Sequence, residues 1–269
     1  MKTKVSISML MVGICYLFNS CGPMTIVKGN GNVITKEISI TDYAVISASG
    51  SSLVVHYEQS EATPYLKVSV DANIFEIYDF EVVDGDKLKI RPNKNHRFNT
   101  QIRPTEFIVY TNSRNLRTID CAGSTTFLLE SPLQTGNLEI DVAGSGNVKM
   151  PYRVDASKAR VDIAGSGSIY ADNLHCSEFS GDIAGSGEVH LTGSAESASY
   201  QIAGSGDYYG YDFVTEHVKA DVAGSGNMQI HANSSIKVSV AGSGDIRYKG
   251  NATEVNQSIA GSGSVKRVD

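Results

Sequence analysis

Asp162-Ile163-Ala164-Gly165-Ser166-Gly167-Ser168-Ile169 is one copy of a phrase that returns throughout residues 119–265. Its centre, Ala-Gly-Ser-Gly, begins at Ala143, Ala164, Ala184, Ala203, Ala223, Ala241 and Ala260, and a weakened Ala-Gly-Ser-Thr begins at Ala122. The copies lie 21, 21, 20, 19, 20, 18 and 19 residues apart. A period near twenty marks a solenoid, in which each repeat buries its apolar side only against its neighbours.

Aligned on this phrase, the chain alternates with period two. Before the alanine stand Cys121, Val142, Ile163, Ile183, Ile202, Val222, Val240 and Ile259. Two positions earlier come Ile119, Ile140, Val161, Gly181, Tyr200, Ala220, Val238 and Gln257, and polar residues, mostly aspartate, separate the two columns. After the glycines a further apolar column runs Phe127, Val148, Ile169, Val189, Tyr208, Met228, Ile246, Val265. Each coil therefore holds at least two short strands, one face inward and one outward, joined at a glycine bend. Strands that recur in the same direction pair in parallel at ~4.8 Å, so eight coils predict a rod about 35–40 Å long. Leucine-rich, helical and hexapeptide repeats fit poorly, because neither a 3.6-residue nor a six-residue apolar period is present. The expected fold is all-β: a single-stranded parallel β-helix of about twenty residues per coil, with the right-handed form favoured by the crossover rule.

Outside the repeats the chain divides in order. Lys2 and Lys4 precede an apolar run over 5–18, the pattern of a secretion signal rather than a membrane span. Leu17-Phe18-Asn19-Ser20-Cys21 resembles a bacterial lipobox, which makes 1–20 a signal peptide and Cys21 the lipidated residue of a membrane-anchored protein. Residues 21–37 are expected to be a tether, 38–118 irregular coils, and 119–265 regular ones. A small β domain capping one end is the alternative for the irregular part. Within it, 81–90 reads as a hairpin turning at Asp84-Gly85, 71–77 as one helical turn, and polar 93–103 as a surface loop. Ala48-Ser49-Gly50-Ser51, 74 residues before Ala122, looks like a decayed repeat. Lys266, Arg267 and Asp269 supply charges to blunt the final edge.

The order of lipobox, Gly-Asn-Gly-Asn-Val (29–33), Ala48-Ser-Gly, the Val-Asp-Gly-Asp-Lys-Leu-Lys-Ile hairpin and the repeated Ala-Gly-Ser-Gly resembles the auto-transporter adhesin head GIN domain family, over roughly 38–265. The resemblance implies a β-helical, adhesin-like lipoprotein of the Bacteroidetes envelope. It brings no catalytic residues.

The residues themselves point away from catalysis. A serine repeated seven times is a structural ladder, not a nucleophile elbow, and the glycines lack the spacing of a phosphate cradle. The six histidines are scattered, with no ligand spacing. A formal charge of −6 with no basic cluster excludes nucleic acid as a natural partner. No cofactor is implied. Cys121 falls in an inward column and Cys176 elsewhere in the repeat, so both are expected to be unpaired thiols. Two features are candidate sites. Tyr208, Tyr209 and Tyr211, with Tyr200 nearby, could form an aromatic binding patch. Asp120, Asp141, Asp162 and Asp182 stack as one outward carboxylate column, which must splay into solvent, accept hydrogen bonds or share a cation such as calcium. The function expected is a non-enzymatic binding or adhesin-like module for polysaccharide or envelope protein. It is anchored in the cell envelope, at the outer membrane, with the periplasmic face slightly favoured. The rivals are a carbohydrate-active enzyme of the pectin-lyase-like β-helix type and a structural spacer.

Overall fold

The computed structural model describes residues 24–96 and 99–268. The expected signal peptide and Cys21 lie outside the described residues. The repeats form the parallel β-solenoid that their period demands. Ala143 pairs with Ala122 on one side and Ala164 on the other, and the register continues without slip at this column through Ala184, Ala203, Ala223 and Ala241 to Ala260. All three apolar columns point inward, into one continuous core that runs as far as the last covered coil.

The bend shows why the glycines recur. Gly144 sits at φ +116°, and a Cβ there would lie 2.7 Å from the Gly123 carbonyl oxygen of the adjacent coil. At Gly146 a Cβ would lie 2.7 Å from the carbonyl oxygen of Thr125. One glycine is thus fixed by backbone conformation and close approach, the other by close approach alone. Between them the serine N–H carries the ladder, Ser145 donating to Gly123 O at 2.9 Å and Ser166 to Gly144 O at 2.8 Å. The serine side chains are exposed. Thr125 stands in for glycine where the adjacent coil breaks register between Ser51 and Val54. Its buried hydroxyl donates to Ala122 O at 2.9 Å.

The irregular part differs from the expectation. Only Val45–Gln59 stacks on Thr118–Leu129 as a full coil. Its register sets Ser49 against Ala122 and Gly50 against Gly123, an offset of 73 rather than 74 residues. The one-residue difference turns Ala48 inward beside Cys121, where both are buried. Beyond this coil Lys87–Pro92 and Phe107–Ser113 add in parallel, and then the sheet changes character. Tyr78–Val83 pairs antiparallel with Lys87–Pro92, and Tyr65–Asp71 with Phe107–Ser113. Val33–Ser39 closes that side, antiparallel to Tyr65–Asp71. The region is a mixed cap, packed on the same core by rings such as Tyr78 and Phe107, edge to face at 4.8 Å. The hairpin turns through the three residues Asp84, Gly85 and Asp86, with Asp84 and Gly85 at φ +56° and +85°. A single helical turn occupies Ala72–Phe75.

Much of the supposed tether is folded. Thr25–Lys28 pairs in parallel with Thr100–Arg103, which also removes part of the polar stretch from the loop class. Asp71 makes the join: its buried carboxylate accepts the Gly31 N–H at 2.8 Å and the Thr105 N–H at 2.7 Å. Burial alone would raise its pKa, but these donors hold it below the ordinary carboxylate range.

At the other end the strand Glu254–Gly261 continues the register of Ser235–Gly242. Its inward side is uncovered, with Val255 and Ile259 41% and 42% exposed.

Candidate functional site

The strand runs that lead into the bends, such as Leu133–Gly144 and Val154–Gly165, turn every second residue outward. Parallel register converts those positions into straight columns. Side by side they read Asn137-Lys158-Glu178-Ser197-His217, then Glu139-Arg160-Ser180-Ser199-Lys219, then Asp141-Asp162-Asp182-Gln201-Asp221, then the exposed alanines. Where the columns shorten to serine or alanine the surface sinks. One channel of about 650 Å³ runs between the first two columns, with Ser180, Ser197 and Ser199 among its lining. A second, of about 750 Å³, runs between the carboxylate column and the alanines from Ala143 to Ala241. Arg160 borders both.

The four aspartates stack as their spacing implies, but they do not meet round a common point. Arg160 grips Asp162 through two bonds, of 2.7 and 2.9 Å, and reaches across to Asp182 at 3.0 Å. Its guanidinium thus takes the position in the column that a shared cation would fill. Asp120 accepts from the Ser47 hydroxyl at 2.8 Å, with the Lys87 ammonium 3.9 Å away. Among the described residues the Asp141 carboxylate has neither a hydrogen bond nor an ion pair. Partial burial raises its pKa, and the charges of Glu139, Asp162 and Asp120 add to the rise. Asp182 is also raised, first by burial and then by Asp162, with Arg160 opposing. Among the described residues no three His, Cys, Asp or Glu side chains are gathered to hold a metal ion.

The tyrosine patch needs correction. Tyr208 lies in the inward column between Val189 and Met228 and is 1% exposed, so it contacts no ligand. It packs edge to face on Tyr200, and its hydroxyl end fills the space that side-chain-free Gly181 leaves in the core. Tyr209 does face outward. Its ring stacks on His190 at 4.4 Å, and His190 stacks on Tyr170 at 4.6 Å. Stacked rings spend their faces on one another and offer edges to solvent, whereas a sugar ring needs an open face. Tyr211 has the Lys249 ammonium 5.0 Å from its ring centre. Together with Asp172 and Asp212 these rings border a shallow hollow of about 290 Å³. Cys121 and Cys176 are free thiols, and burial pushes each to a pKa of about 12, well above a reactive range.

The family model described as "Putative auto-transporter adhesin, head GIN domain" matches the chain twice, over residues 42–156 and 151–252. The chain belongs to the head GIN domain family. Several solved structures are similar to this chain. A "putative lipid binding protein" from Parabacteroides distasonis superposes with a TM-score of 0.87 at 36% identity, covering 91% of this chain and 100% of that one. A putative adhesin from Parabacteroides merdae gives 0.84 at 31% identity, with 91% and 100% covered. A putative adhesin from P. distasonis gives 0.80 at 31%, with 90% and 100% covered. None of these three is described as an enzyme. Among curated proteins nothing matches this head GIN chain.

Proposed function

We propose that this head GIN protein is a non-enzymatic binding module of the cell envelope, tethered through Cys21, that holds an extended polysaccharide along its outer channels. The observation that carries the reading is the channel of about 750 Å³ walled by Asp141, Asp162, Asp182 and Asp221 and floored by the alanine ladder. Carboxylates on four of five successive coils, with Gln201 on the other, accept hydrogen bonds from sugar hydroxyls, and the small apolar floor suits the C–H side of a sugar ring. Net negative charge in the channel favours neutral or amino sugars over acidic ones. The carboxylates nearest one another are fixed by Arg160, which suits recognition better than proton transfer.

A glycan array probed with residues 22–269 tests this. Binding to a neutral or amino-sugar polymer is expected, with loss on Ala184→Arg and Ala203→Arg, both exposed positions that fill the channel without touching the core. Silence on the array together with binding to phospholipid vesicles would replace polysaccharide by lipid. The tether is tested separately: Cys21→Ala should abolish labelling by a fatty-acid probe and partition with membranes.

A further inference from the structure

The edge strand Glu254–Gly261 pairs on one side with Ser235–Gly242 and on the other with no strand among the described residues. Val255, Gln257 and Ile259 stand in register with Ile236, Val238 and Val240, which are buried. The core is therefore open here, and the strand bears one charge, Glu254, at its start. The companion edge Ser264–Arg267 is guarded by exposed Lys266 and Arg267. At the opposite end the antiparallel cap finishes in the edge strand Val33–Ser39, which carries Lys36 and Glu37 and, among the described residues, offers no column matching Val255, Gln257 and Ile259.

We propose that Glu254–Gly261 pairs antiparallel with the same strand of a second copy, across a two-fold axis through Gln257, joining two rods end to end. Residues opposite each other in an antiparallel pair share a face. Inward residues must then meet inward residues, which leaves centres at Asn256, Gln257 or Ser258 for pairing the middle of the strand. A centre at Asn256 sets Val255 against Gln257, and one at Ser258 sets Gln257 against Ile259. Only Gln257 sets Val255 against Ile259 on both sides of the axis. It also gives the Gln257 amide, both donor and acceptor, its own twin as partner. Glu254 then falls opposite Ala260, so no like charges oppose. Such an interface is isologous, and the capped far ends stop growth at two copies.

Sedimentation velocity on residues 22–269 should show a concentration-dependent dimer. Ile259→Lys and Val255→Lys, at exposed positions, should each weaken it by more than about tenfold while leaving the circular dichroism melt intact. Val214→Lys, equally exposed but on the flank, should leave the dimer unchanged. Gln257→Cys should form an intermolecular disulfide on mild oxidation, since opposed Cα atoms about 4.5–5.5 Å apart suit one. A monomer at every concentration, a dimer indifferent to Ile259→Lys, or no crosslink at residue 257 would each overturn the proposal.

Discussion

Asp141 and Asp162 occupy adjacent rungs of one column, yet the same substitution should move stability by different amounts. Asp141 is unpartnered and repelled by its neighbours, at about 1 kcal/mol per like-charged pair in a water-like dielectric and less with salt. Asp141→Asn should raise the melting temperature by about 1–3 °C at low ionic strength, a gain that shrinks as salt rises. Its folded pKa lies above the unfolded one, so stability is greatest below the unfolded value and is lost as pH rises through the folded value. The advantage of the asparagine should accordingly vanish in acid. Asp162→Asn relieves repulsion with Asp141 and Asp182 as well, but it costs Arg160 its two-bonded partner, an exposed pair worth about 0.5–1 kcal/mol, so its gain should be the smaller one. Thermal melts of both variants at two salt concentrations decide the matter; a gain for Asp162→Asn equal to or larger than that for Asp141→Asn would contradict the assignment. The column itself was legible in the sequence because stacking follows from the period. Arg160 was legible too: two residues from Asp162 on a strand, it must share its face. The burial of Tyr208 was implied by its place in the apolar column, and grouping it with Tyr209 ignored that neighbours on a strand face opposite ways. The Tyr170–His190–Tyr209 stack emerges only when the post-glycine columns are extended by one outward position.

Elements outside the repeat are held by contacts that no period announces. Thr25–Lys28 and Val33–Ser39 join partners far along the chain, and a sequence of ordinary strand composition does not say whether a segment pairs or hangs free. The turn-rich Gly-Asn-Gly-Asn stretch at 29–32 falls within the expected tether. In the structure Gly29 lies against the Asp71 carboxylate, and the Gly31 N–H donates to it. Asp71→Ala should therefore cost about 2 kcal/mol, because the backbone N–H groups of Gly31 and Thr105 lose their charged acceptor. It should also open residues 24–33 to limited proteolysis. The folded pKa of Asp71 is depressed, so its contribution is complete above the ordinary carboxylate range and is lost as pH falls through the folded value. The gap between wild type and variant should close in acid, opposite to the behaviour of destabilising Asp141. Unchanged proteolysis of the variant would show that the parallel pairing with Thr100–Arg103 holds the segment alone.

On the scale of the whole molecule the solenoid is a sum of near-equal layers, each touching only the next. Removing one whole period, residues 223–240, joins Val222 to Ala241 and leaves every column in phase. That variant should fold with an unchanged circular dichroism shape and a lower melting temperature. Removing only 232–240 misaligns inward and outward columns and should abolish cooperative melting. If both deletions fold alike, register is not what specifies the rod. The cap and the coils also differ in the distances the chain must travel to form them. The coil Val45–Gln59 waits for Thr118–Leu129, about seventy residues later, and so closes slowly, whereas each later coil lies on one finished about twenty residues before. Once Thr118–Leu129 is in place, growth becomes templated and runs in one direction, rung upon rung. Every growing intermediate then ends in a bare edge with its inward residues uncovered, as Glu254–Gly261 is among the described residues. While the chain is being synthesised or exported, pairing between two such growing fronts competes with addition of the next rung. Dilution of nascent chains, or a chaperone that covers the front, sets how much of the protein reaches full length unpaired.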